Sequence, residues 1–370
     1  MERLFIKVSN AVSAHCYSIL RFEPYTSCAF GCRYCYARWY RSEGPPKPAY
    51  DMLEDLKRFL KAAGRAPTKL MPVRIATLVD PLQLGERDEI LLRALELLRK
   101  HEHPVIFNTK GVARKPLAEL FGEMASEGLL VFQISISTLD ERAARLLEPG
   151  SPSPRERIEG AAMLSELGVP VVLRISPLIP EIAQRELEGL VGAALEARAK
   201  HVIVEAIRLP PDEFRTLYEA LGLPLPRLES YGIKEEGLAR HLLEEKLPVY
   251  EELRRRLEAR GITFATCKEG LFDLHTSEDC CGMYLLRKGS FKRRITLFEL
   301  YKLIRARGIS PSLLPEAFRN LKALGDYIRS EDLQALPRPV RKPLLNHERR
   351  LQKIISDPSL LRKLSPLFDA

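Results

Sequence analysis

No stretch of this sequence approaches the ~20 consecutive apolar residues that a membrane-spanning helix needs, so no membrane partner is expected. The opening run, Met1 to Val8, holds too few apolar residues in a row for a secretory signal. A soluble, cytoplasmic protein is therefore expected, and its seven cysteines agree with a reducing compartment. Asn and Gln are scarce beside abundant Arg, Glu, Leu and Pro, a bias that leans towards a thermophilic source. Internal repeats and low-complexity tracts are missing as well. Acidic residues run short in one region only. From Lys288 to Ala370 there are 18 Lys and Arg against 8 Asp and Glu, whereas upstream 40 and 41 nearly cancel. The whole positive balance thus sits in the last part, which points to an anionic partner, nucleic acid first. The plainer alternative is a solvated helical face.

The most informative stretch that is present is Ser27-Cys28-Ala29-Phe30-Gly31-Cys32-Arg33-Tyr34-Cys35-Tyr36. It places three thiols within eight residues, spaced x3 then x2, with an aromatic residue before the third. Three cysteines cannot all pair within such a loop, and zinc would need a fourth ligand that the loop lacks. A 4Fe–4S cube held by three thiolates leaves one iron open for a substrate or cofactor. A zinc knuckle or buried structural thiols are the competing readings.

Around this loop, strand-like runs at 19–23, 73–79, 105–108, 129–137, 169–175 and 202–207 alternate with helical patterns. The helical patterns lie at 50–63, 86–101, 115–127, 155–167, 183–199 and 212–220. Such alternation indicates an α/β fold with a parallel sheet wound by right-handed crossovers. In that architecture active groups gather at the carboxyl ends of the strands, and the Cys loop follows strand one at that end. The expected division is an extension at 1–18, a parallel α/β unit of six strands at 19–225, a Cys-containing extension at 226–290 and a mostly α-helical basic region at 291–370.

The Cys loop resembles the signature of the radical S-adenosylmethionine (SAM) superfamily, C-x3-C-x2-C with an aromatic before the last cysteine. The resemblance implies a partial (β/α)6 barrel, a 4Fe–4S cluster on Cys28, Cys32 and Cys35, and Tyr34 against the adenine of SAM. It further implies that the open iron chelates the methionine moiety and that one electron releases a 5′-deoxyadenosyl radical, which takes a hydrogen atom from a substrate. The electron would come from a donor such as ferredoxin or flavodoxin. A methionine head needs acceptors for its ammonium and a cation for its carboxylate. Asp80 is the candidate for the first, Lys110 or Arg174 for the second, and Ser135 suits the ribose or the carboxylate.

Further segments narrow the resemblance to the branch containing spore photoproduct lyase. They include Glu23-Pro24-Tyr25-x2-Cys28, Asp80-Pro81-x-Gln83, Thr109-Lys110, Leu147-Glu148-Pro149 and Ser176-Pro177-Leu178-Ile179-Pro180. In that branch a lysine and a serine at these strand positions contact SAM, which supports Lys110 and Ser135, and Ile179 stands where a strand-five backbone reaches adenine. There is one departure. The branch's lyase returns a hydrogen atom from a cysteine on strand two, and here Thr77 stands about there. The lyase's own photoproduct is therefore not the expected substrate, and Tyr34 and Tyr36 are candidate relay groups.

A second thiol group, Cys267, Cys280 and Cys281, lies beyond the expected barrel with His275 between its members. With His275 or Cys16 it would suit zinc; an auxiliary Fe–S cluster, packed thiols, a disulfide or a hydrogen-atom donor are the other readings. Phe298, Tyr301 and Phe318 in the tail have core spacing rather than that of a stacking platform. Together these features lead to a radical SAM enzyme of lyase or transferase type, acting on nucleic acid in repair or base modification. The alternatives are radical modification of a peptide or small metabolite, and a non-enzymatic, metal-bearing nucleic-acid-binding protein.

Overall fold

Short β-branched and aromatic runs, each closed by a polar or proline-bearing turn, become the strands of one parallel sheet. The computed structural model describes residues 1–66, 69–84, 89–231 and 237–368. Helix α1 (Asn10–His15) precedes strand β1 (Leu20–Phe22), and α2 (Tyr50–Ala63) leads to β2 (Val73–Ile75). Then come α3 (Glu89–Lys100), β3 (Val105–Thr109), α4 (Leu117–Ser126) and β4 (Leu130–Ile136). Two helices, α5 (Glu141–Leu147) and α6 (Pro154–Glu166), lead to β5 (Val171–Leu178), and α7 (Pro180–Glu196) to β6 (His201–Ala206). After α8 (Pro211–Leu221) an antiparallel pair, β7 (Leu228–Ser230) and β8 (Ala239–His241), is followed by α9 (Leu243–Glu258) and β9 (Thr263–Thr266). The tail holds α10 (Leu297–Arg307), α11 (Leu314–Lys322), α12 (Ser330–Gln334), α13 (Arg338–Ile355) and α14 (Pro358–Leu364).

The sheet runs β1-β2-β3-β4-β5-β6-β9, every neighbour parallel. It therefore has seven strands where the alternation gave six: the short run after α9 pairs with β6, so the sheet extends past residue 225. Strand two is shorter than the expected 73–79. The Glu23 carboxylate accepts the N–H groups of Thr77, Leu78 and Val79 at 3.0–3.2 Å, which withdraws them from any ladder. The helix expected at 86–101 is seen from Glu89; residues 86–88 of that expectation lie outside the described residues.

Side chains alternate across the pleat, and the two faces meet different partners. Val73, Phe107, Phe132, Leu173 and Val204 pack on the crossover helices through Phe59, Leu95, Phe121 and Leu190. On the opposite, inner face Ile106, Val131, Val172, Ile203 and Ala265 are fully buried against Met283, Leu297, Leu300 and their neighbours in the tail. Phe298, Tyr301 and Phe318 are buried in that same layer. Its contacts fall at the strands' amino ends: Arg287 N–H donates to Gly128 O and Lys292 N–H to Lys69 O, each at 2.9 Å. Residues 1–18 join it, with both nitrogens of His347 bonded at 2.9 Å to Ser13 Oγ and Ile6 O, and Tyr17 donating to Glu299 at 2.7 Å. The tail closes the amino edge of the sheet and leaves the carboxyl edge to the loops.

Candidate active site

The Cys loop leaves β1 and is held from two sides. Gln83, beyond β2, donates to Ser27 O at 2.8 Å and accepts from Ala29 N–H. From beyond β4, Leu147 O accepts Arg33 N–H at 2.9 Å, and Gly150 N–H donates to Phe30 O at 3.0 Å. Gly31 turns the chain at φ +59°, in the left-handed region that glycine adopts without cost. Cys28, Cys32 and Cys35 are unpaired thiols, all half-buried. Burial pushes the Cys32 thiol up to about 12; Lys110 opposes the rise, and Glu148, Cys35 and Cys28 add to it. Among the described residues no three His, Cys, Asp or Glu side chains stand close enough to share a single metal ion.

Glu148 anchors the loop's far wall. Its carboxylate accepts from Tyr34 Oη and from Ser137 Oγ at 2.9 Å, and pairs with the Arg157 guanidinium at 2.5 Å. Burial works to raise this carboxyl, but Arg157 and then Lys110 outweigh it and hold it below the ordinary glutamate value. Tyr34 also packs on the apolar cluster that contains Leu147 and the fully buried Ile179. Tyr34 and Ile179 therefore share one shelf.

At the exits of β2 and β3, Asp80 accepts from Thr109 Oγ1 at 2.7 Å, Leu82 N–H at 2.9 Å and Lys110 N–H at 2.6 Å. These bonds fix the backbone that carries Lys110, whose Nζ lies 5.6 Å from the centre of the Tyr34 ring. Among the described residues no carboxylate oxygen lies within 4.0 Å of that ammonium, which leaves it open to an anionic group. Beside it, Asn108 Oδ1 is buried and has no hydrogen-bond partner among the described residues. An open ammonium beside the Cys loop, with an unsatisfied polar atom two residues before it, fits a zwitterionic ligand bound at a thiolate-held cluster.

Ser135 and Arg174 are register partners on the inner face, at 8% and 9% exposure. Arg174 is engaged there, bonded to Gln133 Oε1 at 3.2 Å and to Glu205 at 3.1 Å. Glu205 also binds Arg208 at 2.8 Å and Lys268 at 2.9 Å. Burial would raise its carboxyl, but Lys268, Arg208 and Arg174 together hold it far below the ordinary range. Tyr36 bridges the two regions: its hydroxyl donates to Thr77 O at 3.1 Å, and Lys268 Nζ sits 5.7 Å from its ring centre.

The second thiol group belongs to this inner face. Gly282, at φ +72°, lets the Cys280–Cys281 turn press onto Val172 and Val131, where a Cβ would stand 3.0 Å from Val172 Cγ2. Gln133 Nε2 donates to Cys281 O at 2.7 Å, and Arg74 Nη2 to Cys281 Sγ at 2.8 Å. The hydrogen bond from Cys280, its sulfur 3.6 Å away, brings the Cys281 thiol down to about 6 against the effect of burial, and Arg74 assists. His275 is a packed core histidine, bonded to Thr266 Oγ1 at 2.9 Å and 4.7 Å from the Phe298 ring centre.

Arg74, Gln133, Arg208, Lys268 and Glu269 were given no role from the sequence, and Glu148 and Arg157 entered only as members of segments that carry the resemblance, Leu147-Glu148-Pro149 and Pro152-x-Pro154-x2-Arg157. A signal existed for the strand members. Arg74, Gln133 and Arg174 each interrupt an apolar run at an inner-face position, and a polar residue amid a buried strand is the informative exception.

Residues 22–194 match the model of the radical SAM superfamily. An uncharacterized protein of Mycobacterium tuberculosis is 24% identical over 195 residues, which cover 50% of this chain and 57% of that protein. Another, from Methanocaldococcus jannaschii, is 25% identical over 177 residues, covering 46% and 63%. The chain thus spans little more than half the length of these relatives. Among solved structures the fold is similar to that of spore photoproduct lyase complexed with dinucleoside spore photoproduct. The identity is 18% and the TM-score 0.53, over 71% of this chain and 79% of that one. A variant of that lyase with bound AdoMet and the same dinucleoside gives 18% and 0.53, over 70% and 78%.

Proposed function

We propose that this chain is a radical SAM enzyme that acts on nucleic acid. The observation that carries the reading is the Cys loop at the sheet's carboxyl edge, with the unpaired ammonium of Lys110 beside it. When bound, a 4Fe–4S cluster and SAM supply reductive cleavage to a 5′-deoxyadenosyl radical, the electron coming from a ferredoxin- or flavodoxin-type donor. Cys28, Cys32 and Cys35 would hold the cluster. Lys110 would meet the carboxylate of the methionine moiety, with Asp80 fixing its backbone, and Ser135 would add a hydroxyl. Tyr34 and Ile179 would give the adenine an apolar shelf. Tyr36, between the Cys loop and the Lys268–Glu205 pair, stands where a relay between cofactor and substrate is needed. We read Cys267, Cys280 and Cys281 as packed thiols, with Cys281 tied to Arg74 and Gln133. Anaerobic reconstitution with dithionite tests the chemistry: wild type forms 5′-deoxyadenosine and Cys32→Ala does not. Absence of an iron–sulfur chromophore in the wild type would overturn it.

Nucleic acid as the substrate class is supported by the likeness to a lyase solved with a dinucleoside and by the basic surplus of the tail. Arg338, Lys342, Arg349 and Lys353 are exposed, and their spacing puts them on one face of α13. The apolar face of the tail closes the sheet, so substitution rather than deletion isolates the charge. Changing these four to Gln is expected to lower the log–log salt slope of retention by about one per phosphate contact removed; an unchanged slope would refute the tail's role. A second reading, a small anionic metabolite, is favoured by the inner face. There Arg74, Arg174, Arg208, Lys246 and Lys268 outnumber Glu205 and Glu269, and buried charge seeks a counter-charge.

A further inference from the structure

Four aromatic side chains stand exposed within fifteen residues: Tyr36 at 46%, Trp39 at 46%, Tyr40 at 53% and Tyr50 at 51%. Among the described residues no other Tyr, Trp or Phe is exposed to that degree, and Trp39 is the chain's single tryptophan. Leaving such rings in water forgoes the gain that burial would bring, so their clustering needs a partner to explain it. The same stretch carries cations. It holds Arg38, Arg41 and Lys47 against one acid, Glu43. The Arg38 guanidinium lies 5.0 Å from the Trp39 ring centre and pairs with Glu213 of α8. Arg41 donates to Leu78 O at 3.2 Å.

The segment is also fixed in place. Ser42 N–H donates to Thr26 O at 3.1 Å, Thr26 N–H to Lys47 O at 3.0 Å and Ala49 N–H to Pro24 O at 2.9 Å. Lys47 N–H adds a bond to Thr26 Oγ1 at 3.2 Å. Residues 42–49 are thereby laced to 24–26, the stretch that delivers the Cys loop. Rigid aromatic faces interleaved with cations are the two halves of single-strand recognition: any base offers a π-face, and the backbone phosphates meet the cations. The tail has the cations without the faces, because Phe298, Tyr301 and Phe318 are buried.

We propose that residues 36–50 form a stacking platform for the unpaired bases of a single-stranded nucleic acid, held against the carboxyl edge of the sheet. The inference rests on nucleic acid being the substrate class, and it moves the base-contacting surface from the tail to the edge that carries the Cys loop. An unpaired or extruded base must leave its stack to reach such a site, and an aromatic platform replaces the stacking it loses.

The test uses anaerobically reconstituted protein and a fluorescein-labelled thymidine oligomer of about 16 nucleotides, followed by anisotropy. Wild type is expected to bind the single strand more tightly than a duplex containing it. Trp39→Ala and Tyr40→Ala should each weaken binding about 5- to 100-fold with the salt slope unchanged, because no phosphate contact is removed. Trp39→Phe should restore most of the affinity, and Lys47→Gln should lower the slope by about one. A bromouridine-substituted oligomer should cross-link to Trp39 or Tyr40. Equal affinity of wild type and Trp39→Ala, or a preference for duplex, overturns the platform. So does a Trp39→Ala variant that binds the oligomer normally but slows cluster reduction by flavodoxin. Formation of 5′-deoxyadenosine without oligomer, measured on the same samples, separates the two proposals: its persistence beside absent oligomer binding sinks the platform alone, and its absence beside Trp39-dependent binding sinks the chemistry alone.

Discussion

One methyl group placed at Gly150 should loosen the Cys loop. A Cβ there would stand 2.7 Å from Ala29 O, 2.9 Å from Phe30 Cα and 3.1 Å from Phe30 O. All three are backbone atoms between Cys28 and Cys32, so no flexible side chain can swing aside. Carbon contacts are favourable near ~3.5–4.0 Å, so the loop must retreat by roughly half an ångström or more. The Gly150 N–H to Phe30 O bond, now 3.0 Å, lengthens with it. Overpacking of this kind costs about 1–3 kcal/mol, and the weakened bond adds about 1 kcal/mol. Gly192→Ala in α7 is the control. A Cβ there meets nothing within 4 Å, and the change should stabilise by about 1 kcal/mol through helix propensity. Thermal unfolding and iron per chain after anaerobic reconstitution are the readouts. Gly150→Ala is expected to melt lower and to hold less iron, while Gly192→Ala holds the full complement. Wild-type iron content with an unshifted melt in Gly150→Ala would show that the segment after α5 does not set the loop.

Arg157→Leu should cost about 3–5 kcal/mol in denaturant unfolding, because it strands a carboxylate in the interior; the Arg157 and Glu148 side chains are 1% and 0% exposed. A loss below about 1 kcal/mol would mean that Tyr34 and Ser137 satisfy Glu148 without it. Burial brings His275 down from 6.5 to about 3, with His201 and His15 adding to the shift. The unfolded chain therefore takes up a proton below pH 6.5 that the folded chain refuses until about pH 3. This contribution is complete above 6.5 and is lost as pH falls through that window, at about 1.4 kcal/mol per pH unit. His275→Phe should flatten the pH dependence of the denaturation midpoint by one such proton, and an unchanged slope would show that the native protein carries the ring charged.

What the sequence shows of this fold is what local pattern can carry. The alternation of apolar positions marks β3 to β6 because each strand buries one face on helices and the other on the tail. The run 76–79 reads as strand by the same pattern, yet the Glu23 carboxylate claims its N–H groups, and nothing local announces an acceptor more than fifty residues away. Strand β9 lies outside the six-strand alternation, because its place beside β6 depends on pairing across α8 and α9. At the site, the spacing of three cysteines is local and stands out, and Lys110 follows from its position after a strand. Glu148 and Arg157 lie in segments that carry the resemblance, but their spacing does not announce their role. Their importance comes from a buried ion pair and from Leu147 O and Gly150 N–H gripping the loop.

The two edges of the sheet face opposite demands. At the amino edge, residues 1–18 and the tail must bury a wide apolar face against Ile106, Val131, Val172, Ile203 and Ala265, so substitutions there are felt through packing. The tail's charge is what remains on the outside once that face is turned inward, and charge so placed lies at the edge opposite the Cys loop. At the carboxyl edge, loops carry the thiols, Lys110 and the exposed aromatics on a scaffold already stabilised elsewhere, where side chains can change without cost to the core. Recognition of the reacting part of a substrate therefore has to be sought at the carboxyl edge. A basic tail that also binds nucleic acid would add affinity there without choosing the base.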